Sequence, residues 1–570
     1  MSTDVKRRGW TISAEGNDLA DRFLESVFFT GNGRMGARGY PAYRPIRRPL
    51  DAGLFLAGFY DRISDSTELT DFVNLPTPIW YQIRLNGRTP AIPSHLSRAL
   101  DLRTGLLTFR YRLSIADDWV DVQEQRFFSL AKPSFLFQRL EFQGRGQVEL
   151  LAGIDHRSCN SPIPDDQVKE NTQIIQMTRF CSGEATDAGF TARYKTNHTR
   201  LELAQTVSCR TEGFSSPAFV ADTGDGVGVR CTSDASDAPI ALEIAARLTS
   251  SRDVDPLLQL DVEPGWDFVS ALAENQAAWE QKWADCDIVM EGDDDAQTAL
   301  RYVIYQLAAN CSPRDHTVSI GARGLTHTRY KGCYFWDTDL FLTPFYDLTD
   351  PKAARSLAGF RVGTLPQARA HAARMNGAGA RYPWMVSYDG TEQCESWDIG
   401  CSEVHVTADV AYALGQYLDW TGDDSLFFQG GAQVLVETAR FWVSRYSPAP
   451  EAGKVNLLFC KGPDEYCGIT SNNLFTNAMV KHNLSLALTA AARLKKEAPE
   501  QYAALSLSKA ECAAWEILRD AIQLPGIQSP VTTARTIRST CWSALSRRSS
   551  NPATRPAITR SASTGSNAIR

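Results

Sequence analysis

A chain of 570 residues exceeds what one compact core accommodates and implies two or three domains. Its 43% hydrophobic and 22% charged content is ordinary for soluble globular protein, and a net charge of -7 argues against a nucleic-acid-binding surface as its main business. No apolar run approaches the roughly 20 residues that span a bilayer, and the polar, basic stretch Met1 to Trp10 has no apolar core behind it, so no membrane partner or secretory leader is expected.

Residues 1–265 read as β structure. Phe109, Tyr111, Leu113 and Ile115 alternate with Arg110, Arg112 and Ser114, the period of a half-buried strand. The stretches around Val120, Gln147 to Ile154 and Pro239 to Leu248 repeat it, with turns at Leu85-Asn86-Gly87 and Arg103-Thr104-Gly105. Many such strands with little helical pattern between them predict an antiparallel β-sandwich. The glycines from Gly31 to Gly39 lack P-loop spacing and read as turns where backbone passes close to backbone.

From Trp266 the period becomes helical. Residues 266–295 form a helical linker, with Asp293-Asp294-Asp295 at the start of the next helix, where its dipole favours negative charge. Residues 296–520 then carry helical runs at Gln297 to Cys311, Ala353 to Ala373, Val404 to Trp420, Val434 to Tyr446, Leu474 to Leu494 and Ala503 to Leu518. Helices joined by polar, aromatic loops, with no fixed-period repeat, suggest a toroid of paired helices whose loops build one rim. After Asp520 there is no Asp, Glu or Lys, and residues 521–570 are expected to be a disordered Arg/Ser/Thr-rich tail.

Three rim loops converge in residue type. The first, Arg329 to Asp339, holds Trp336 and Asp337; the second starts at Arg381-Tyr382-Pro383-Trp384 and continues through Glu392, Glu395, Trp397 and Asp398; the third is Gly462 to Asn473. Trp-Asp pairs suit sugar binding, because a carboxylate accepts hydroxyl hydrogen bonds while the ring packs a C–H face. Core packing for the aromatics and a helix N-cap for Asp337 fit the same pattern. In the third loop Gly-Pro fixes the turn, and a carboxylate beside Tyr466 could be raised toward neutral pH, as a general acid requires. A solvated Asp464-Glu465 pair with a helix cap at Asn472 or Asn473 is the plainer alternative. Glu403-Val404-His405 is read as a core or capping feature, with no metal site expected. Thirteen scattered Cys without a Cys-x-x-Cys pair fit reduced thiols in a cytoplasmic protein.

The runs Tyr334 to Asp339, Arg381 to Trp384, Trp397 to Asp409, Glu437 to Trp442 and Gly462 to Tyr466 stand in the order found in glycoside hydrolase family 65, which the chain resembles over roughly residues 10 to 520. The resemblance implies a multidomain β + α fold: an N-terminal antiparallel β-sandwich, a helical linker and an (α/α)6 barrel, incomplete here. It further implies inverting phosphorolysis of an α-linked glucosyl disaccharide such as maltose, trehalose or kojibiose. Glu465 would be the proton donor, and Trp336, Asp337, Tyr382, Trp384 and Glu392 the substrate-binding residues. Partners would be the disaccharide and inorganic phosphate as co-substrate, with no other cofactor and a homodimer left open. Hydrolysis of the acid-trehalase kind is the alternative, with Glu392, Glu395 and Asp398 as candidates to activate water; an inactive sugar-binding fragment is the third. Met385 and Cys333 depart from residues frequent in the family, which bears on acceptor choice. The family's Lys-Gln pair, phosphate loops and C-terminal β domain would lie beyond Leu524, and a shifted reading frame or misjoined exon is the expected origin of the tail.

Overall fold

The computed structural model describes residues 5–16, 21–43, 53–160, 175–235, 238–394 and 396–525. Among these, thirteen strands hydrogen-bond into one large antiparallel sheet. The alternation read from Phe109 to Ile115 falls within the strand Leu106–Ile115 and is realised: Phe109, Tyr111 and Leu113 are buried and Ile115 half-buried, while Arg110, Arg112 and Ser114 face water.

One strand organises the sheet. Phe135–Asp155 pairs with Asp118–Phe128 and Ile240–Ser250 along its first half, and with Gly226–Ala235 and Tyr81–Leu85 along its second. It changes partners at Gly144 to Gly146, where φ at Gly146 is 113° and a Cβ on Gly144 would lie 2.2 Å from the Trp119 carbonyl oxygen. Glycine permits both that conformation and that approach, so the strand bends there. The two halves enclose one apolar core: Val148, Leu150 and Val229 belong to the same cluster as Phe109, Val122 and Leu242.

That core continues into the helical region. Asp267 caps Phe268–Cys286 by accepting from the Ser270 N–H at 2.8 Å. The helix turns Trp279 and Trp283 toward the sheet, where the Trp283 indole donates to the Leu102 carbonyl at 3.1 Å. Asp293 caps Asp294–Asn310 in the same manner. The Gly31 to Gly39 run closes against the end of that helix: the Gly33 N–H donates to the Ala309 carbonyl at 2.7 Å, and a Cβ on Gly33 would meet the Cys311 carbonyl oxygen at 2.1 Å. Backbone does pass close to backbone there.

Further helices follow as the period predicts, at Val406–Thr421, Ala432–Arg445 and Leu474–Glu497, packed successively on one another. Two runs read as single helices are broken. Pro351–Gly363 and Leu365–Arg374 meet at Thr364, because Pro366 has no N–H to continue the ladder. Pro499–Ala504 and Lys509–Ala521 are separated by Ser506 at φ 52°, and Ser508 recaps the second. No helix among the described residues is long and apolar enough to cross a membrane. Ala521 and Ile522, assigned by composition to a disordered tail, are buried, and the Gln523 carbonyl accepts from the Asn477 amide at 2.8 Å. Residues 526–570 lie outside the described residues.

Candidate active site

The Glu465 loop is a pinned hairpin. Cys460 and Thr470 exchange backbone hydrogen bonds of 2.9 and 2.7 Å, and the Lys461 N–H donates to the Ser402 carbonyl at 3.0 Å, joining the hairpin to the segment that carries Glu403 and His405. Asn473 caps the following helix by accepting from Thr476 at 3.1 Å, so the capping expectation holds at that residue. The two adjacent acids have different tasks. Asp464 accepts from the Tyr466 N–H at 3.1 Å and closes the turn. Glu465 projects to the exposed side of the same turn, where desolvation, then Glu403, lifts its carboxyl above the ordinary range; Asp337 adds to the rise, and Lys461 and His405 oppose it. Glu465 and Asp337 therefore share one electrostatic field.

Asp337 begins the turn Thr338–Leu342, but its side chain makes no capping hydrogen bond to it. The capping alternative is not realised. Solvent reaches the carboxyl, yet enough protein surrounds it that desolvation, and then Asp339, raises its proton affinity. Asp339 points the other way, into a buried ion pair with Arg361, whose Nε lies 3.0 Å from Oδ1. Trp336 is half-buried beside Asp337, with its ring edge-on to His405 at 4.9 Å and near Phe341 at 5.1 Å.

Three sequence-nominated residues form a wall next to the first rim loop. Tyr382 is 1% exposed, and its hydroxyl donates to the Arg361 carbonyl at 2.6 Å. Trp384 packs edge-on to Phe335 at 5.0 Å. Glu392 accepts three backbone N–H groups, from Trp384 at 2.8 Å, Met385 at 3.0 Å and Cys394 at 3.1 Å, and so fixes the loop around itself. Burial raises its carboxyl while those three donors and Arg381 oppose the rise. Asp398 is exposed, and Glu395 lies outside the described residues.

Two contributions escaped the sequence reading. His405 is a buried core group, as the plain alternative had it, but both ring nitrogens meet carboxylates: Nδ1 lies 2.5 Å from Asp409 and Nε2 3.0 Å from Glu403. The His-x-x-x-Asp spacing, one helical turn, was the available signal. The sheet region also supports the rim loops. Tyr60 donates from its hydroxyl to the Gly332 carbonyl at 2.6 Å, the Thr70 N–H donates to Gln393 Oε1 at 2.8 Å, and the Thr70 hydroxyl pairs with Ser387 at 2.7 Å. These come from the short strands Tyr60–Arg62 and Thr70–Phe72, too brief to show a period. A hollow of about 570 Å³ beside the linker helix, lined by Arg139, Glu212 and Glu243, shares no residue with this site, and its arginine is already held between the two carboxylates.

Residues 15–282 match the model of the glycosyl hydrolase family 65 N-terminal domain, and residues 301–535 match that of the family 65 central catalytic domain. Kojibiose phosphorylase from Thermoanaerobacter brockii is 35% identical, over 90% of this chain and 71% of its own length. The kojibiose phosphorylase of Caldanaerobacter subterraneus subsp. tengcongensis is 29% identical and the α,α-trehalose phosphorylase of Geobacillus stearothermophilus 27%, each across 90% of this chain and 71% of the relative. A solved structure titled "Putative kojibiose phosphorylase from human microbiome" superimposes with a TM-score of 0.79 at 18% identity, covering 91% of this chain and 71% of that one. That likeness extends over the antiparallel sheet and the helical region alike. With both family domains in order along one fold, the chain belongs to glycosyl hydrolase family 65.

Proposed function

We propose that this protein phosphorolyses an α-linked glucosyl disaccharide with inversion, releasing glucose 1-phosphate and the second sugar. Glu465 protonates the glycosidic oxygen as the bond from C1 breaks, and a phosphate oxygen forms the new bond from the opposite face. The observation that carries the reading is the carboxyl of Glu465 on a proline-stiffened hairpin tied to the His405 segment through the Lys461 N–H and the Ser402 carbonyl, where burial, Glu403 and Asp337 raise its proton affinity. Trp336 offers an apolar ring face and Asp337 an uncommitted acceptor to the glucosyl unit. Tyr382, Trp384 and Glu392 act in this reading by shaping the wall next to the loop that carries the pair.

The named phosphorylases among the relatives support phosphate as nucleophile. Phosphate arrives anionic and needs no base, whereas water would need a second carboxylate. Glu392, one candidate for that task, already accepts three backbone N–H groups. No metal or further cofactor enters the scheme.

Incubating a panel of α-glucosyl disaccharides with and without phosphate tests the reading. Glucose 1-phosphate forming only with phosphate is the expected result; free glucose at equal rates in both would mean hydrolysis. Glu465→Gln should lower cleavage by at least about 10²-fold, the scale of a lost general acid, with sugar binding retained. Near-normal turnover would remove Glu465 from the role.

A further inference from the structure

His405 heads the helix Val406–Thr421 with 1% of its surface exposed, between Glu403 at 1% and Asp409 at 0%. A neutral imidazole has one N–H and one lone pair, so it can satisfy only one acceptor. Here Nδ1 faces Asp409 Oδ2 at 2.5 Å and Nε2 faces Glu403 Oε2 at 3.0 Å, and neither oxygen has a proton to offer if both acids are ionised. With both acids ionised the ring meets both acceptors as an imidazolium; burial raises the Asp409 carboxyl, and the charge and hydrogen bond of His405 oppose that rise. Its remaining surface is covered by aromatic rings, Trp336 at 4.9 Å and 84° and Phe475 at 5.7 Å and 85°.

We propose that His405 is a positioning residue of the glucosyl site: its doubly anchored imidazolium fixes the Trp336 ring and supplies the positive charge that lets Asp337, Glu403 and Glu465 stand together. The inference rests on the reading of Glu465 as proton donor. Asp337, Glu403 and Glu465 come from three separate chain segments, and like charges so placed repel. The charged groups around the imidazolium are Glu403 and Asp409 on its own segment, Asp337 and the Asp339–Arg361 pair from the first rim loop and its neighbouring helix, and Glu465 with Lys461 from the hairpin. Burial works against a charged ring, but Asp409 and Glu403 outweigh it and lift the imidazole to about 9. An unpartnered buried oxygen remains on each of those carboxylates, Glu403 Oε1 and Asp409 Oδ1, so the cation is their principal compensation. Held this way, the ring cannot rotate without breaking two ion pairs, and Trp336 keeps one orientation toward the sugar.

The test compares pH profiles of kcat/KM for wild type, His405→Gln and Glu403→Gln on one disaccharide at fixed phosphate, whose own ionisation is common to all three. His405→Gln removes a cation near Glu465 and should move the alkaline limb up; Glu403→Gln removes an anion and should move it down, each by about half a pH unit or more. A purely structural role lowers rates without displacing the limbs in opposite directions, and coincident limbs would overturn the proposal. Imidazole ¹⁵N NMR of the wild-type chain supplies a readout independent of turnover: both ring nitrogens should carry protons at pH 8, and a neutral ring there would overturn it even if either variant fails to fold. If wild type cleaves no glucoside while the ring is doubly protonated, it is the reading of Glu465 that fails, and the state of His405 stands.

Discussion

Neighbouring residues of one chemical type take different roles because the backbone aims them differently. Asp464 and Glu465 were indistinguishable as a pair of acids in the sequence; the turn consumes one and presents the other. Asp337 and Asp339 divide likewise, one open to a ligand and one locked to Arg361. Direction of a side chain is a property of the folded turn, so composition could nominate loops without saying which acid of each faces outward. In the proposed reaction Glu465 acts in its protonated form; with its affinity for that proton raised, cleavage should persist above the ordinary carboxylate range and fade as pH rises further, read from the alkaline limb of the profile. A second raised acid affects stability instead. Asp347 is 4% exposed, with Oδ1 unpartnered and Oδ2 accepting from Gln416 at 3.0 Å. Burial pushes its carboxyl from 3.8 up to about 6. The folded state then binds the proton more tightly, so this contribution is fully present below pH 3.8 and is lost as pH rises through about 6. Above that the buried charge weighs against folding by about 1–3 kcal/mol. Asp347→Asn should therefore raise Tm at pH 8 and not at pH 4; an equal offset at both values would show that the effect is not ionisation.

Among the elements, those with a long period were legible and those without were not. Leu106–Ile115 and Leu474–Glu497 are long enough to show theirs. The bent strand Phe135–Asp155 was read only in part: Val148 to Ile154 alternate, whereas Phe135 to Gln138 are buried on both faces and show no period. The rim support was invisible: Tyr60–Arg62 and Thr70–Phe72 are three residues each, and their partners are more than 250 residues away in the chain. They brace an unusual turn. Tyr330, Lys331 and Gly332 are all left-handed, at φ 57°, 56° and 68°, four residues before Trp336 at the closest. Each non-glycine residue there costs about 1–2 kcal/mol, so outside contacts must hold the turn. A Cβ on Gly332 would meet the Phe72 Cβ at 2.5 Å. Gly332→Ala should lower stability by about 1–3 kcal/mol and reduce kcat/KM with it, since the displaced turn leads into Trp336. Gly87, also left-handed at 75° but with open space around its Cβ position, is the control: Gly87→Ala should cost less in Tm and leave kcat/KM unchanged. Equal losses of activity in both would separate the turn from the site.

At the scale of the molecule, the core of the sheet runs on into the helical region, where two further apolar clusters adjoin it. The apolar cluster that holds Phe109 and Val148 also holds Trp279, Tyr305, Phe360 and Val386. Cores of that kind unfold together, because opening one side exposes apolar surface on the other at about 25 cal/mol per Å². The polar contacts across the boundary act in the same direction. Tyr60 is 1% exposed, packs on Phe72 and Tyr388 at 5.0 and 5.3 Å, and donates to the Gly332 carbonyl at 2.6 Å. Tyr60→Phe keeps the ring contacts and leaves that carbonyl without its donor, a loss of about 1–3 kcal/mol for a buried acceptor. If the two regions are coupled, thermal unfolding of wild type followed by far-UV circular dichroism and by tryptophan fluorescence should give one coincident transition. Tyr60→Phe should then shift both signals by the same amount and raise KM for the disaccharide, because the rim loop it braces carries Trp336 and Asp337, the pair proposed to hold the sugar. Two separated transitions, with only the earlier one moved by the substitution, would mean that the sheet folds independently and that its contacts with the rim are incidental to catalysis.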